Sequence, residues 1–109
     1  GAQIKAINAS THVFMYYQTD WARTWYTSGR WFDAHPELEV KDASGKLVVG
    51  GGQNWHLYDF AQAQTREMYV EILANITESP EIDGVFIDGF RDGQYVCLSG
   101  CAPDEKTRW

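Results

Sequence analysis

The sequence predicts an α/β fold built on parallel strands, and three segments carry this prediction. Residues 12–18 are rich in β-forming side chains and almost entirely apolar, which indicates a buried strand. Residues 61–77 have helical periodicity, and the short apolar run 85–87 that follows them ends on Asp88. A strand, a helix and a second buried strand in this order are typical of a right-handed parallel crossover.

The segments on either side of the first strand are harder to assign. Residues 2–9 have an apolar rhythm that favours a helix, although the segment is too short to be stable alone. The aromatic region 19–32 follows the first strand, and the spacing of Trp21 and Trp25 within it is compatible with a short helix. We expect the Thr-Ser-Gly run at 27–29 to break that helix.

Residues 32–53 are predicted to form a loop excursion that contains a small hairpin. The turn-forming run 41–46 separates two short β-prone segments, as in a hairpin. Three glycines at 50–52 are predicted to be a flexible joint. They are not a phosphate-binding loop, because neither a Lys-Ser/Thr pair nor a helix follows them. We therefore predict one domain, 1–109, interrupted by this excursion.

A second main strand is predicted over residues 55–58, and the helix comes directly after it. Asp59 stands three residues before Gln62, so the two could form a capping box at the start of the helix. This explains Asp59 structurally, but its position after a strand keeps it among the candidate binding residues. The helix has one apolar stripe, formed by Tyr69, Ile72, Leu73 and Ile76.

Length and charge exclude several classes of partner. A chain of 109 residues is one domain at most. Its formal net charge of −6 argues against binding to nucleic acid or to an anionic membrane surface, because both require a basic face. No apolar run approaches the roughly 18 residues that span a bilayer, and no signal peptide is visible.

The cysteines and histidines do not predict a metal or cofactor site. Cys97 and Cys101 have three residues between them, whereas zinc usually needs four ligands. A disulfide between them is slightly favoured, and two free thiols remain the alternative. Residues 8–10 and 75–77 match the N-glycosylation pattern, which together with the disulfide candidate slightly favours an extracytoplasmic location.

Four motifs in order resemble a known family. They are the runs 17–21 (Tyr-Gln-Thr-Asp-Trp), 35–46 (His-Pro-Glu, then Lys-Asp-Ala-Ser-Gly-Lys), 58–62 (Tyr-Asp-Phe-Ala-Gln) and 83–88 (Asp-Gly-Val-Phe-Ile-Asp). This set resembles the front half of a (β/α)8-barrel glycoside hydrolase, in the group of α-galactosidase-like enzymes and glycosidases of unassigned specificity. One departure is Phe86, because α-galactosidase-like members usually have Lys two residues before the strand-end Asp.

The resemblance implies a partial (β/α)8 (TIM) barrel with parallel strands. A whole barrel takes about 250 residues, so this chain would hold about three βα units. It would then be either a segment of a longer enzyme, inactive in isolation, or a part-barrel that completes its sheet by association, most simply as a homodimer. The implied activity is hydrolysis of glycosidic bonds, with carbohydrate as partner and no cofactor. The alternative is a non-catalytic carbohydrate-binding or self-assembling module. A second carboxylate about 5–10 Å from the first would favour the enzyme.

The candidate site residues combine acids with aromatic side chains. Asp88 is the candidate nucleophile or base, because an Asp at the end of a parallel strand lies where α/β folds place their chemistry. The alternative is that Asp88 only closes a turn before Gly89. For Asp20 the alternative to substrate binding is that it is a solvent-exposed loop residue. For the tryptophans the alternative is that they pack in the hydrophobic core. The candidate substrate-binding residues are Asp20, Trp21, Trp25, Trp55, His56 and Asp59.

Overall fold

The computed structural model of the protein describes residues 1–50 and 55–89. The sequence predictions for Cys97 and Cys101 lie outside these residues. In chain order the elements are α1 (Ala2–Ile7), β1 (Phe14–Gln18), β2 (Trp21–Ala22), α2 (Thr27–Ala34), a 3-10 turn (Pro36–Leu38), β3 (Val49–Gly50), β4 (Trp55–Leu57), α3 (Ala63–Thr77) and β5 (Gly84–Asp88).

The first and last strands form a parallel pair. β1 and β5 are in register from Phe14 opposite Gly84 to Gln18 opposite Asp88. Helix α3 comes immediately before β5 and packs against it. The protein is therefore a mixed α/β chain with a two-stranded parallel sheet.

The strand predicted over 55–58 forms, but it does not join the parallel sheet. β4 pairs antiparallel with β2, where Trp21 lies opposite Leu57, and antiparallel with β3, where Val49 lies opposite His56. The expectation of three parallel strands is wrong for residues 1–50 and 55–89. The physical reason is that β2 follows β1 after only two residues and takes the position beside β4.

Helix α2 begins where the sequence predicted a break. Thr27, Ser28 and Gly29 form its first turn, and Ser28, Gly29 and Phe32 are buried. Gly29 is needed for its size, because a Cβ atom there would overlap the backbone carbonyl oxygen of Arg23. The helix can pack this closely on the preceding segment only because residue 29 has no side chain.

Replacing Gly29 with alanine should destabilise the protein by about 1–3 kcal/mol, the usual cost of overpacking. Helix propensity alone would predict the opposite, because alanine is favoured over glycine within a helix by about 1 kcal/mol. The added methyl group would meet backbone atoms of Arg23 and Thr24, which cannot rotate away. Urea unfolding measures the effect, with Arg30→Ala on the exposed side of α2 as control. A stabilised Gly29→Ala protein would contradict this packing.

The core is mainly aromatic and lies where α2 and α3 meet the two sheets. The hydroxyl of Ser28 lies 2.8 Å from that of Tyr17 and accepts a hydrogen bond of 2.6 Å from that of Tyr58. Burial, with Tyr17 alongside, raises the pKa of Tyr58. The buried hydrophobic cluster contains Tyr17, Ala22, Phe32, Leu38, Tyr58, Met68 and Tyr69.

Helix α3 confirms the apolar stripe but not the capping box. Tyr69 is buried, and Ile72, Leu73 and Ile76 pack partly buried against the core. The residue before the helix is Gln62, and no side chain caps it. Asp59 instead accepts a 3.0 Å hydrogen bond from the backbone N–H of Ala61 and so stabilises the turn before the helix.

The excursion contains the predicted hairpin. Lys41 and Leu47 form an antiparallel bridge, and the turn between them is closed by the Asp42 carboxylate. That carboxylate accepts hydrogen bonds from Ser44 and from the backbone of Lys46, and these lower its pKa. Gly45 has φ +81°, a conformation that glycine adopts without strain.

Helix α1 has no buried residues and is joined to the rest of the chain by an ion pair. The Lys5 ammonium group lies 2.7 Å from Asp83 Oδ1, and Asp83 Oδ2 accepts a hydrogen bond from the backbone of Val13. The hydrogen bond from Lys5 first, and that from Val13 second, lower the pKa of Asp83 below its ordinary value of 3.8.

Acid should release α1 before the core unfolds. Because the pKa of Asp83 is lower in the folded chain, its stabilising contribution is present above pH 3.8 and is lost as the pH falls below that value. The protection factors of the amides in α1, which correct for the slower chemical exchange in acid, should therefore fall on acidification. In Lys5→Gln the helix should already be loose at pH 7. Equal protection of α1 at neutral and strongly acidic pH would refute this.

No helix among residues 1–50 and 55–89 is long and apolar enough to cross a membrane.

Candidate functional site

The carboxyl ends of β1 and β5 meet at one edge of the parallel sheet. Gln18 and Asp88 are register partners at this edge. The backbone N–H of Thr19 and its hydroxyl group both donate to the carbonyl oxygen of Asp88, at 2.9 and 3.0 Å. These hydrogen bonds hold the ends of the two strands together. We call Gln18, Asp20, Asp88 and Gly89 the site edge.

The side chain of Asp88 is exposed and has a fixed orientation. Its Oδ2 atom accepts a 2.8 Å hydrogen bond from the Tyr16 hydroxyl group, and its Oδ1 atom accepts a 2.7 Å hydrogen bond from the backbone of Gly89. The bond to Asp88 raises the pKa of Tyr16, because donation to a carboxylate stabilises the protonated phenol. The two hydrogen bonds fix the position of the Asp88 carboxylate.

Asp20 also lies against Gly89. A Cβ atom added to Gly89 would lie 2.6 Å from Asp20 Oδ1, and the φ of +89° at Gly89 also favours glycine. The Gly89 amide bonds to Asp88 Oδ1, so bond lengths limit the distance between the Oδ1 atoms of Asp20 and Asp88 to about 8 Å. The site edge therefore carries two neighbouring carboxylates.

A buried tyrosine forms a hydrogen bond to the backbone at this edge. The Tyr69 hydroxyl group donates a 3.1 Å hydrogen bond to the backbone carbonyl of Gln18. Burial first, then the neighbouring Tyr17 and the charge of Asp20, raise the pKa of Tyr69 to about 12. Tyr69 is therefore a neutral donor that holds the end of β1 in place at any physiological pH.

Two tryptophans and an arginine lie next to Gln18. The Arg23 Nε atom donates a 3.0 Å hydrogen bond to the side-chain oxygen of Gln18. Its guanidinium carbon lies 4.4 Å from the centre of the Trp55 ring and 5.4 Å from that of Trp25. The two indoles meet edge to face, with centroids 6.3 Å apart, and Trp25 is 57% exposed. We call Trp25 and Trp55 the indole pair.

His56 lies in the packed interior, where it bonds to acidic side chains. Its Nδ1 atom is 2.7 Å from Glu39 Oε2, and its Nε2 atom is 3.5 Å from Asp33 Oδ1. The imidazole stacks on Phe32 with ring centroids 5.5 Å apart. These contacts join β4 to α2 and to the segment after the 3-10 turn, so the geometry gives His56 a structural task.

The remaining predicted residues are placed as follows. Trp21 is partly buried in β2, opposite Leu57. Asp59 follows Tyr58, whose backbone N–H donates to the carbonyl of Asp20, and its own carboxylate closes the turn before α3. Within the described residues, no group of three or more histidine, cysteine or acidic residues is arranged to hold a metal ion.

Sequence reasoning missed four residues that shape this site. They are Tyr16, Gln18, Arg23 and Gly89, which orient or flank the predicted acids and indoles. A signal was available for Arg23, since it stands between two tryptophans in a chain with few basic residues. Nothing in the sequence pairs Tyr16 with Asp88, because their contact depends on the register of β1 and β5.

The chain matches no protein-family model and no curated protein.

Proposed function

We propose that the protein hydrolyses glycosidic bonds at the site edge, with Asp88 as nucleophile or base and Asp20 as the second carboxyl group. Glycoside hydrolysis uses two carboxyl groups, about 5–5.5 Å apart in retaining enzymes and about 6.5–9.5 Å apart in inverting ones. The observation that supports this most is the limit of about 8 Å between the Oδ1 atoms of Asp20 and Asp88, which both lie next to Gly89.

The surroundings of Asp88 fit this role. A nucleophile or base must be ionised and exposed, and Asp88 is exposed with two donors on its carboxylate. The indole pair adds flat apolar faces of the kind on which sugar rings pack. These features support a carbohydrate substrate more than any other ligand class.

We propose that the chain folds as a partial (β/α)8 barrel and that a second copy of the chain completes the barrel. In the described residues β1 and β5 have only each other as partners, and the exposed face of this sheet carries Phe14 and Phe86, which are 61% and 59% exposed. Unpaired edges with apolar side chains are usually covered. Light scattering should therefore give a dimer at micromolar concentration, and a monomer throughout that range would reject this assembly.

A panel of chromogenic glycosides and oligosaccharides tests the activity. Release of the chromophore, with matching turnover of an oligosaccharide, is the expected result. Saturable binding without turnover would instead favour a non-catalytic carbohydrate-binding module, for which the exposed Trp25 of the indole pair is the supporting observation. A chain that neither binds nor turns over any member of the panel would refute both functions.

A further inference from the structure

Arg23 is held rigidly beside the site edge. Its backbone carbonyl packs against Gly29 of α2, its Nε atom bonds to Gln18, and its guanidinium group lies over the indole pair. A side chain held by a hydrogen bond and by the two indole rings has little rotamer freedom left to lose on binding a ligand. It is therefore preorganised, which lowers the entropic cost of recognition.

The guanidinium group of Arg23 contacts the indole pair, but it forms no ion pair with the described residues. Within residues 1–50 and 55–89, no carboxylate lies within ion-pair distance of its guanidinium group. The hydrogen bond to Gln18 uses one of its five N–H donors. A partly buried cation without an ion-pair partner is unusual in a chain of net charge −6, where acids outnumber bases fifteen to nine.

A second donor beside Arg23 also has no acceptor. The indole nitrogen Nε1 of Trp55 is buried, and no hydrogen-bond acceptor is within reach of it in the described part of the chain. A buried donor left without an acceptor destabilises the protein, so a ligand that supplies an acceptor there is favoured. Arg23 and Trp55 therefore both offer N–H donors that have no anionic partner among the described residues, and an anion could accept from them.

We propose that Arg23 binds the carboxylate of an acidic sugar, so that the substrate class of this site is a uronic-acid-containing carbohydrate. This rests on the proposed function, because it names the sugar that the site edge would act on. The planar guanidinium fork suits a carboxylate, which it can bind through two parallel hydrogen bonds. The indole pair would meanwhile pack against the apolar face of the sugar ring.

The position of Arg23 suits a charged sugar at this edge. Its guanidinium group lies beside Gln18, the register partner of Asp88, and can attract a sugar carboxylate there. The overall charge of −6 acts from further away and is screened beyond about 8 Å at physiological ionic strength. Loss of Arg23 should therefore weaken the binding of a charged sugar more than that of a neutral one.

The test compares one sugar backbone with and without its charge. Calorimetric titrations of the full chain with an oligogalacturonate, its methyl ester and a sulfated neutral oligosaccharide separate carboxylate recognition from general anion binding. We expect the free acid to bind at least about tenfold more tightly than the ester or the sulfated sugar. Arg23→Gln should remove that preference, and Arg23→Lys should restore only part of it, because lysine lacks the fork.

Arg30→Gln is the matched control, since it removes the same charge from an exposed position on α2 and should leave binding unchanged. Thermal unfolding of each variant confirms that it is folded. Equal binding of acid and ester, an unchanged preference in Arg23→Gln, or tighter binding of the sulfated sugar would overturn the inference but keep a carbohydrate site. If no sugar binds in any form, the proposed function fails as well.

Discussion

Replacing Asp88 with asparagine should lower glycoside turnover by about 10²–10⁴-fold, the range for loss of a catalytic proton-transfer group. An amide keeps the shape of the carboxylate but can neither attack the sugar nor accept a proton. Stability should change by no more than about 1 kcal/mol, because Asp88 is exposed and is held at a strand end. Initial rates on the best substrate, together with urea unfolding, measure both effects.

The control for this variant is Asp42→Asn. It makes the same chemical change in another hydrogen-bonded carboxylate, in the hairpin turn closed by Ser44 and Lys46. Turnover should survive there, so a loss specific to Asp88 identifies the reacting group. Full activity in Asp88→Asn would remove this residue from the mechanism. Loss of activity together with unfolding would make Asp88 a structural residue.

Replacing Phe32 with alanine should destabilise the protein by about 3–5 kcal/mol, which is typical of a fully buried phenylalanine. Phe32 is 0% exposed, and its ring stacks on His56 and packs against Tyr58 and Trp31. The change would leave a cavity between α2 and β4. Since small domains are stable by only about 5–15 kcal/mol, the loss should be visible as a large fall in the urea midpoint.

Phe86→Ala is the matched control for Phe32→Ala, because it deletes the same side chain from an exposed position. Phe86 is 59% exposed and contacts Tyr16 across the open face of β1 and β5. We expect it to cost less than about 1 kcal/mol in the monomer. Equal costs for the two variants would mean that the core is not centred on Phe32.

The sequence is informative about the parallel pair because both strands have continuous apolar patterns. Residues 12–18 and 85–87 predicted β1 and β5, and the strand-end position of Asp88 followed from where the apolar run stops. The apolar stripe of α3 was equally visible, since a helix with one buried face repeats its apolar residues about every 3.6 positions. Local patterns sufficed for these elements.

The remaining elements depend on contacts that no local pattern encodes. Gly29 is a helix breaker by propensity, yet close packing on Arg23 requires glycine there. β4 has three residues, too few to distinguish a parallel from an antiparallel partner, and its pairing was decided by β2 and β3 on either side. The close approach of Asp20 to residue 89 likewise requires glycine there, since a Cβ atom would lie 2.6 Å from its carboxylate.

The most direct test of the central claim is to map where a sugar binds, by following N–H chemical shifts as the best oligosaccharide ligand is added. We predict that the Gly89 amide and the indole N–H signals of Trp25 and Trp55 move with one common affinity. The amides of the hairpin around Asp42 should stay fixed. Shifts confined to residues away from the site edge, or no shifts at any sugar concentration, would contradict the proposal that carbohydrate binds beside Asp88.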